Sequence, residues 1–106
     1  MDLVVAVYRH SENYPKNEQF GLSSQTRRAA VSIPANIAEG QARKSAAQFR
    51  SFLNIALGSV AELETHMEIA KRLDYLEPEA AQTLLNSANE VSRMIHGLLR
   101  SLETED

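Results

Sequence analysis

The spacing of apolar residues between positions 49 and 70 constrains the fold more than any other feature. Phe49, Leu53, Ala56, Val60, Leu63, Met67 and Ala70 follow one another at alternating intervals of four and three residues. A strand alternates faces every second residue and a helix repeats about every 3.6, so this spacing belongs to a helix with a seam for other helices. Ser45, with Gln48 three residues later, reads as a capping box opening that helix. The apolar pattern continues to Leu73, and Asp74, Tyr75 and Leu76 make the turn after it.

Three further amphipathic stretches accompany the long one. Leu3 to Tyr8 is β-branched and could read as a strand in isolation, but no partner strand occurs elsewhere and a lone strand leaves its backbone unpaired, so helix is the expectation. Tyr14-Pro15 ends it. A second helix is expected from Leu22 to Gly40, with Gly40 as its C-terminal stop and a kink where Pro34 removes a hydrogen bond. Glu77-Pro78 opens a fourth, with Leu84, Ala88, Val91, Ile95, Leu98 and Leu102 as its apolar stripe. The expected helices are 2–13, 22–40, 45–73 and 78–102, and the tail ETED is expected to fray. A chain of 106 residues forms one domain, 1–106, with enough length to bury a core. Four helices with short connections pack most simply as an all-α, antiparallel up-down-up-down four-helix bundle.

The apolar faces are wider than one bundle needs. On a wheel at about 100° per residue, helix 3 carries apolar side chains over an arc of roughly 200°. In helix 2, Leu22, Ala29, Ile33 and Ile37 line one side, while Val31, Ala35 and Ala38 line nearly the opposite side. Small residues on a second face permit close approach of another helix, so Val31, Ala35 and Ala38 are the expected oligomer interface; a tightly packed monomer with apolar surface is the alternative.

Composition removes several functional classes. The absence of Cys excludes disulfide scaffolds, thiolate metal sites and cysteine nucleophiles. His10, His66 and His96 share no motif with a nucleophile and an acid, so catalytic residues are not expected. Glu62 and His66 lie four apart, but no Glu-x-x-His occurs, and no metal or other cofactor is expected. Gly21, Gly40, Gly58 and Gly97 are isolated and form no phosphate-cradling loop. The short apolar N-terminal run is neither a membrane span nor a cleavable leader, which points to a cytoplasmic protein without a membrane partner.

Charge points to one candidate surface. The net charge is -3, yet residues 1 to 44 carry six Lys+Arg against four Asp+Glu. Between positions 27 and 50, Arg27, Arg28, Arg43, Lys44 and Arg50 face the single acid Glu39. Arg43, Lys44, Arg50 and Arg28 are the candidate phosphate contacts for RNA or DNA, centred on the corner between helices 2 and 3. The other reading of the same residues is a solvated face with internal ion pairs. Glu64 falls inside the wide apolar arc and needs a cation, which Arg27 or Arg28 is placed to supply, and Glu39 can pair with Arg43 if the helix continues through Gly40. A different class of function is a protein-binding adaptor presenting Glu68, Glu77, Glu79 and Glu90 to a basic partner.

Tyr8, the segment YPKNEQFGLSSQTRRAAVSIPANIAEGQAR (Tyr14 to Arg43) and FLNIALGSVAELETHMEIAKRLDYL (Phe52 to Leu76) resemble the four-helix-bundle family encoded in intervening sequences of bacterial 23S ribosomal RNA genes. The resemblance covers residues 3 to about 76. It implies an antiparallel four-helix bundle assembled as a ring-like homopentamer, without established enzymatic activity and with an undefined physiological role. Accessory variability proteins of diversity-generating retroelements are similar in fold and assembly, and through them the resemblance implies nucleic acid and a reverse transcriptase as partners. Members usually begin with a further stretch before helix 1, often containing Trp; this chain starts at MDLVV, so helix 1 is expected to be short.

Overall fold

Among the described residues four helices follow in order: α1 (Asp2–Ser11), α2 (Leu22–Ala42), α3 (Ala46–Arg72) and α4 (Pro78–Glu103), with a 3-10 turn, Lys16–Glu18, between α1 and α2. The structure is a computed structural model that describes residues 1–103; the fraying expected of the tail falls, beyond Glu103, outside the described residues. Among the described residues there is no strand, and LVVAV is helical within α1. The expectation of an all-α, four-helix fold is met.

The helix ends show which local signals act. α1 stops at Ser11, and Asn13 and Tyr14 close two tight turns onto His10 and Ser11 carbonyls before Pro15 takes an extended backbone. Ser45 caps α3 by accepting a hydrogen bond from the Gln48 amide at 3.3 Å. Pro78 occupies the first helical position of α4, where its missing N–H costs nothing. At the end of α3, the Tyr75 amide reaches the Ala70 carbonyl and the Asp74 amide the Lys71 carbonyl, while Asp74 sits at φ 63. That is a Schellman turn with aspartate in the left-handed position glycine usually fills.

Gly40 corrects the sequence reading. It does not stop α2, which continues to Ala42; the left-handed residue at this corner is Lys44, at φ 58. Gly40 is buried, and a Cβ there would stand 2.8 Å from Phe52 Cβ and 2.9 Å from Phe49 Cδ1. Glycine is required here by the close approach of α3 and not by backbone conformation. α2 is helical on both sides of Pro34.

α3 packs against α2 and α4, and α1 against the same two helices, so one core lies between all four. Leu53, Ala56, Leu63, Met67 and Ala70 are fully buried and Val60 nearly so, as their spacing predicts. Ala29, Ala30 and Ile33 meet them from α2, Leu84, Ala88 and Ile95 from α4, and Leu3 and Val7 from α1. The edges of the predicted arcs depart from expectation: Ile55 (51%), Leu73 (50%) and Leu98 (38%) are exposed. These positions lie away from the neighbouring helices, and the bundle covers only the centre of each stripe.

Polar links fix how the helices sit. Ser32 of α2 and Ser59 of α3 share a hydrogen bond of 2.8 Å, and Asn36 Nδ2 donates to both the carbonyl and the hydroxyl of Ser32. At one end of the molecule the Tyr75 hydroxyl donates to Glu18 Oε2 (3.0 Å), and its ring lies 5.5 Å from that of Tyr14. Glu18 also accepts from the Leu22 amide through Oε1. One carboxylate thus caps α2 and ties it to the turn between α3 and α4.

Candidate nucleic-acid interface

The corner between α2 and α3 is built by Gly40, which lets the helices converge, and by the left-handed turn at Lys44, which reverses the chain within Arg43–Ser45. This turn leaves Lys44 exposed and the Arg43 side chain about half exposed. Because α2 does continue through Gly40, Glu39 and Arg43 fall one helical turn apart and pair at 2.6 Å. Both are about half exposed, so the pair contributes little to stability, yet it offsets the charge Arg43 offers a polyanion. The Arg43 guanidinium also lies 5.5 Å over the Phe52 ring. Lys44 is exposed and has no ion pair among the described residues. Arg50 lies on the first turns of α3, half-buried, with Nη1 donating to the Leu102 carbonyl at 3.4 Å.

Arg28 does not join this group. It is exposed on α2, fifteen residues before Arg43, or about 22 Å along the helix axis. The corner therefore presents Lys44 and a partly neutralised Arg43, with Arg50 beside them and turned toward α4.

The expected pairing of Glu64 with Arg27 or Arg28 is not what the structure contains. Arg27 turns toward α1, where Nε donates to Ser11 Oγ at 2.7 Å, Nη2 donates to the Tyr8 carbonyl at 3.2 Å, and the guanidinium lies 4.7 Å over the Tyr8 ring. Glu64 is half-buried and has no ion pair among the described residues. A half-buried side chain keeps contact with water and needs no cation beside it, whereas Arg27 makes three contacts with two residues of α1. No signal along the sequence marks Tyr8 and Ser11 as those partners, because their proximity arises only from how α1 lies on α2.

Val31, Ala35 and Ala38 are all exposed. With Met1, Val4 and Pro34 they line an open apolar groove of about 380 Å³ between α1 and α2. Charged side chains are absent from its lining, in contrast to the corner, and the two surfaces share one helix.

Glu62 and His66 stand 3.9 Å apart on α3, and among the described residues no group of three or more His, Asp or Glu could hold a metal ion. No helix among them is long and apolar enough to cross a membrane.

Known proteins place the fold. No curated protein matches the chain. A crystal structure of a protein of unknown function from the S23 ribosomal protein family of Bacteroides thetaiotaomicron VPI-5482 is similar, with 27% identity and a TM-score of 0.86 over 93% of this chain and 89% of that one. The family described as 23S rRNA-intervening sequence protein matches residues 1–97, which takes in α1, α2, α3 and most of α4. With nearly the whole chain matched, this protein belongs to the 23S rRNA-intervening sequence protein family.

Proposed function

We propose that the protein is a non-enzymatic, nucleic-acid-associated scaffold: an antiparallel up-down-up-down bundle, bent in α2 at Pro34, that assembles as a homopentamer through the α1/α2 groove and presents its cationic corners to RNA or DNA. The observation that carries this reading is the juxtaposition on α2 of two exposed surfaces of opposite character. Val31, Ala35 and Ala38 form an apolar face, and the Arg43–Lys44 turn follows about 8 Å beyond Ala38 along the axis. Covering that face with a second copy sets the corners of neighbouring subunits near one another. Contacts that are weak singly then sum through avidity, which offsets the net charge of -3. A reverse transcriptase remains the protein partner that the family resemblance implies.

The adaptor reading draws less support. The Glu68 carboxyl is held below its usual range by hydrogen bonds from Lys71 and Arg72, each at 3.2 Å. The carboxylate on α3 that such an adaptor would present is thus already matched by two cations of its own helix. The test is binding of a labelled RNA at low salt, with Arg43 and Lys44 both replaced by Gln: a parent that binds and a variant that does not support the proposal, and a parent that binds nothing favours the adaptor.

A further inference from the structure

A second cavity, of about 260 Å³, opens at the other end of the molecule between α1, the 3-10 turn and the start of α2. Its lining residues are mostly polar and include Lys16, Arg27, Ser23, Tyr14 and Glu12. The corner at Lys44 lies about 25–30 Å away along α2, so this pocket is no part of that surface.

Two lining residues, Ser23 and Tyr14, are each only 7% exposed, and their hydroxyls keep access to the pocket and have no hydrogen-bond partner among the described residues. Both hydroxyls are therefore free to donate to a molecule seated in the pocket. Arg27 is anchored by Ser11 and the Tyr8 carbonyl, which leaves its Nη1 group without a protein partner. Lys16 adds an ammonium at the rim. Burial pushes the Tyr14 hydroxyl up to about 12, so it remains a donor at neutral pH. Glu12 is the one carboxylate in the lining and is exposed. Glu18 does not compete for these donors, since its two oxygens are taken by the Leu22 amide and the Tyr75 hydroxyl.

We infer that this pocket binds a phosphate group, with Arg27 and Lys16 supplying charge and Ser23 and Tyr14 supplying hydroxyl donors. A tetrahedral oxyanion has acceptors enough for four donors arriving from three segments, and its charge suits a lining that holds two cations against the one carboxylate of Glu12. Two sources share this chemistry: a free phosphate ion, and the terminal phosphate of a nucleic-acid strand. The inference does not depend on the oligomeric scaffold reading.

The test is an NMR titration of the protein with inorganic phosphate, with chloride at matched ionic strength as the control. Saturable shifts at the amides of Lys16, Gln19 and Ser23 are expected, weakened about tenfold or more in Lys16→Gln/Ser23→Ala and also, independently, in Tyr14→Phe. Shifts no larger than those with chloride, or unchanged affinity in both variants, would overturn the inference. Two oligoribonucleotides alike except for a 5′-phosphate separate the sources. Affinity gained from that phosphate and lost in the variants assigns the pocket to strand ends, and equal affinity of the two, with orthophosphate still binding, assigns it to the free ion.

Discussion

A Cβ on Gly40 would stand 2.8 Å from the Cβ of Phe52, closer than side chains tolerate, while one on Gly58 would meet nothing within 4 Å. Both glycines lie inside helices, where alanine is intrinsically better by up to about 1 kcal/mol. The two substitutions should therefore have opposite signs. Gly40→Ala is expected to destabilise by about 1–3 kcal/mol through overpacking, and Gly58→Ala to stabilise by about 0.5–1 kcal/mol. Denaturant unfolding of the two variants measures both, and stabilisation by Gly40→Ala would show that α2 and α3 are not in close contact there.

Arg27 and Arg28 are adjacent in sequence and unlike in role. Arg27→Ala removes two charge-assisted hydrogen bonds to α1 and should cost about 1.5–3 kcal/mol, whereas Arg28→Ala should stay within about 0.5 kcal/mol. Glu64→Ala is expected to cost under about 1 kcal/mol, since no cation depends on it among the described residues. A larger loss for Glu64→Ala than for Arg27→Ala in urea unfolding would restore the ion pair that the sequence alone favours.

Tyr14 makes stability fall at high pH. Its folded-state hydroxyl is raised to about 12 from an ordinary 10, so the neutral form is favoured by folding. The contribution is fully present below pH of about 10 and is lost as pH rises toward about 12, by up to about 3 kcal/mol. Unfolding curves from pH 8 upward, compared with Tyr14→Phe, isolate it: the parent should lose more stability than the variant, and parallel decline would contradict the burial of this hydroxyl.

The extent to which the sequence revealed the fold follows from which signals are local. The α3 seam is repeated over seven positions and Ser45 needs only its neighbour Gln48, so both are legible without tertiary knowledge. Gly40 reads as a helix stop because glycine commonly is one; only the approach of Phe52 from a distant segment shows otherwise. The same holds for the site. Arg43 and Lys44 were legible from charge and position after Gly40, whereas the partners of Arg27 and the pocket at Ser23 arise from α1 and α2 meeting in space. Lys44 and Asp74 in left-handed turns leave no mark that a sequence pattern could read.

Assembly through the α1/α2 groove predicts that light scattering reports a pentamer for the parent. Ala35→Glu places a carboxylate in an apolar contact and should lower that mass while leaving far-UV helicity intact, because Ala35 is exposed in the isolated chain. An unchanged mass would move the interface elsewhere.

The central claim is tested most directly by fluorescence anisotropy of a labelled RNA as a function of salt, with the parent beside Arg43→Gln/Lys44→Gln. The parent should bind at about 50 mM salt, its affinity falling steeply as salt rises, and the double variant should bind at least about tenfold more weakly with a shallower salt slope at the same oligomer mass. A parent that binds no RNA at that salt, or a variant that binds as tightly and with the same slope, would contradict the assignment of the corner to nucleic acid.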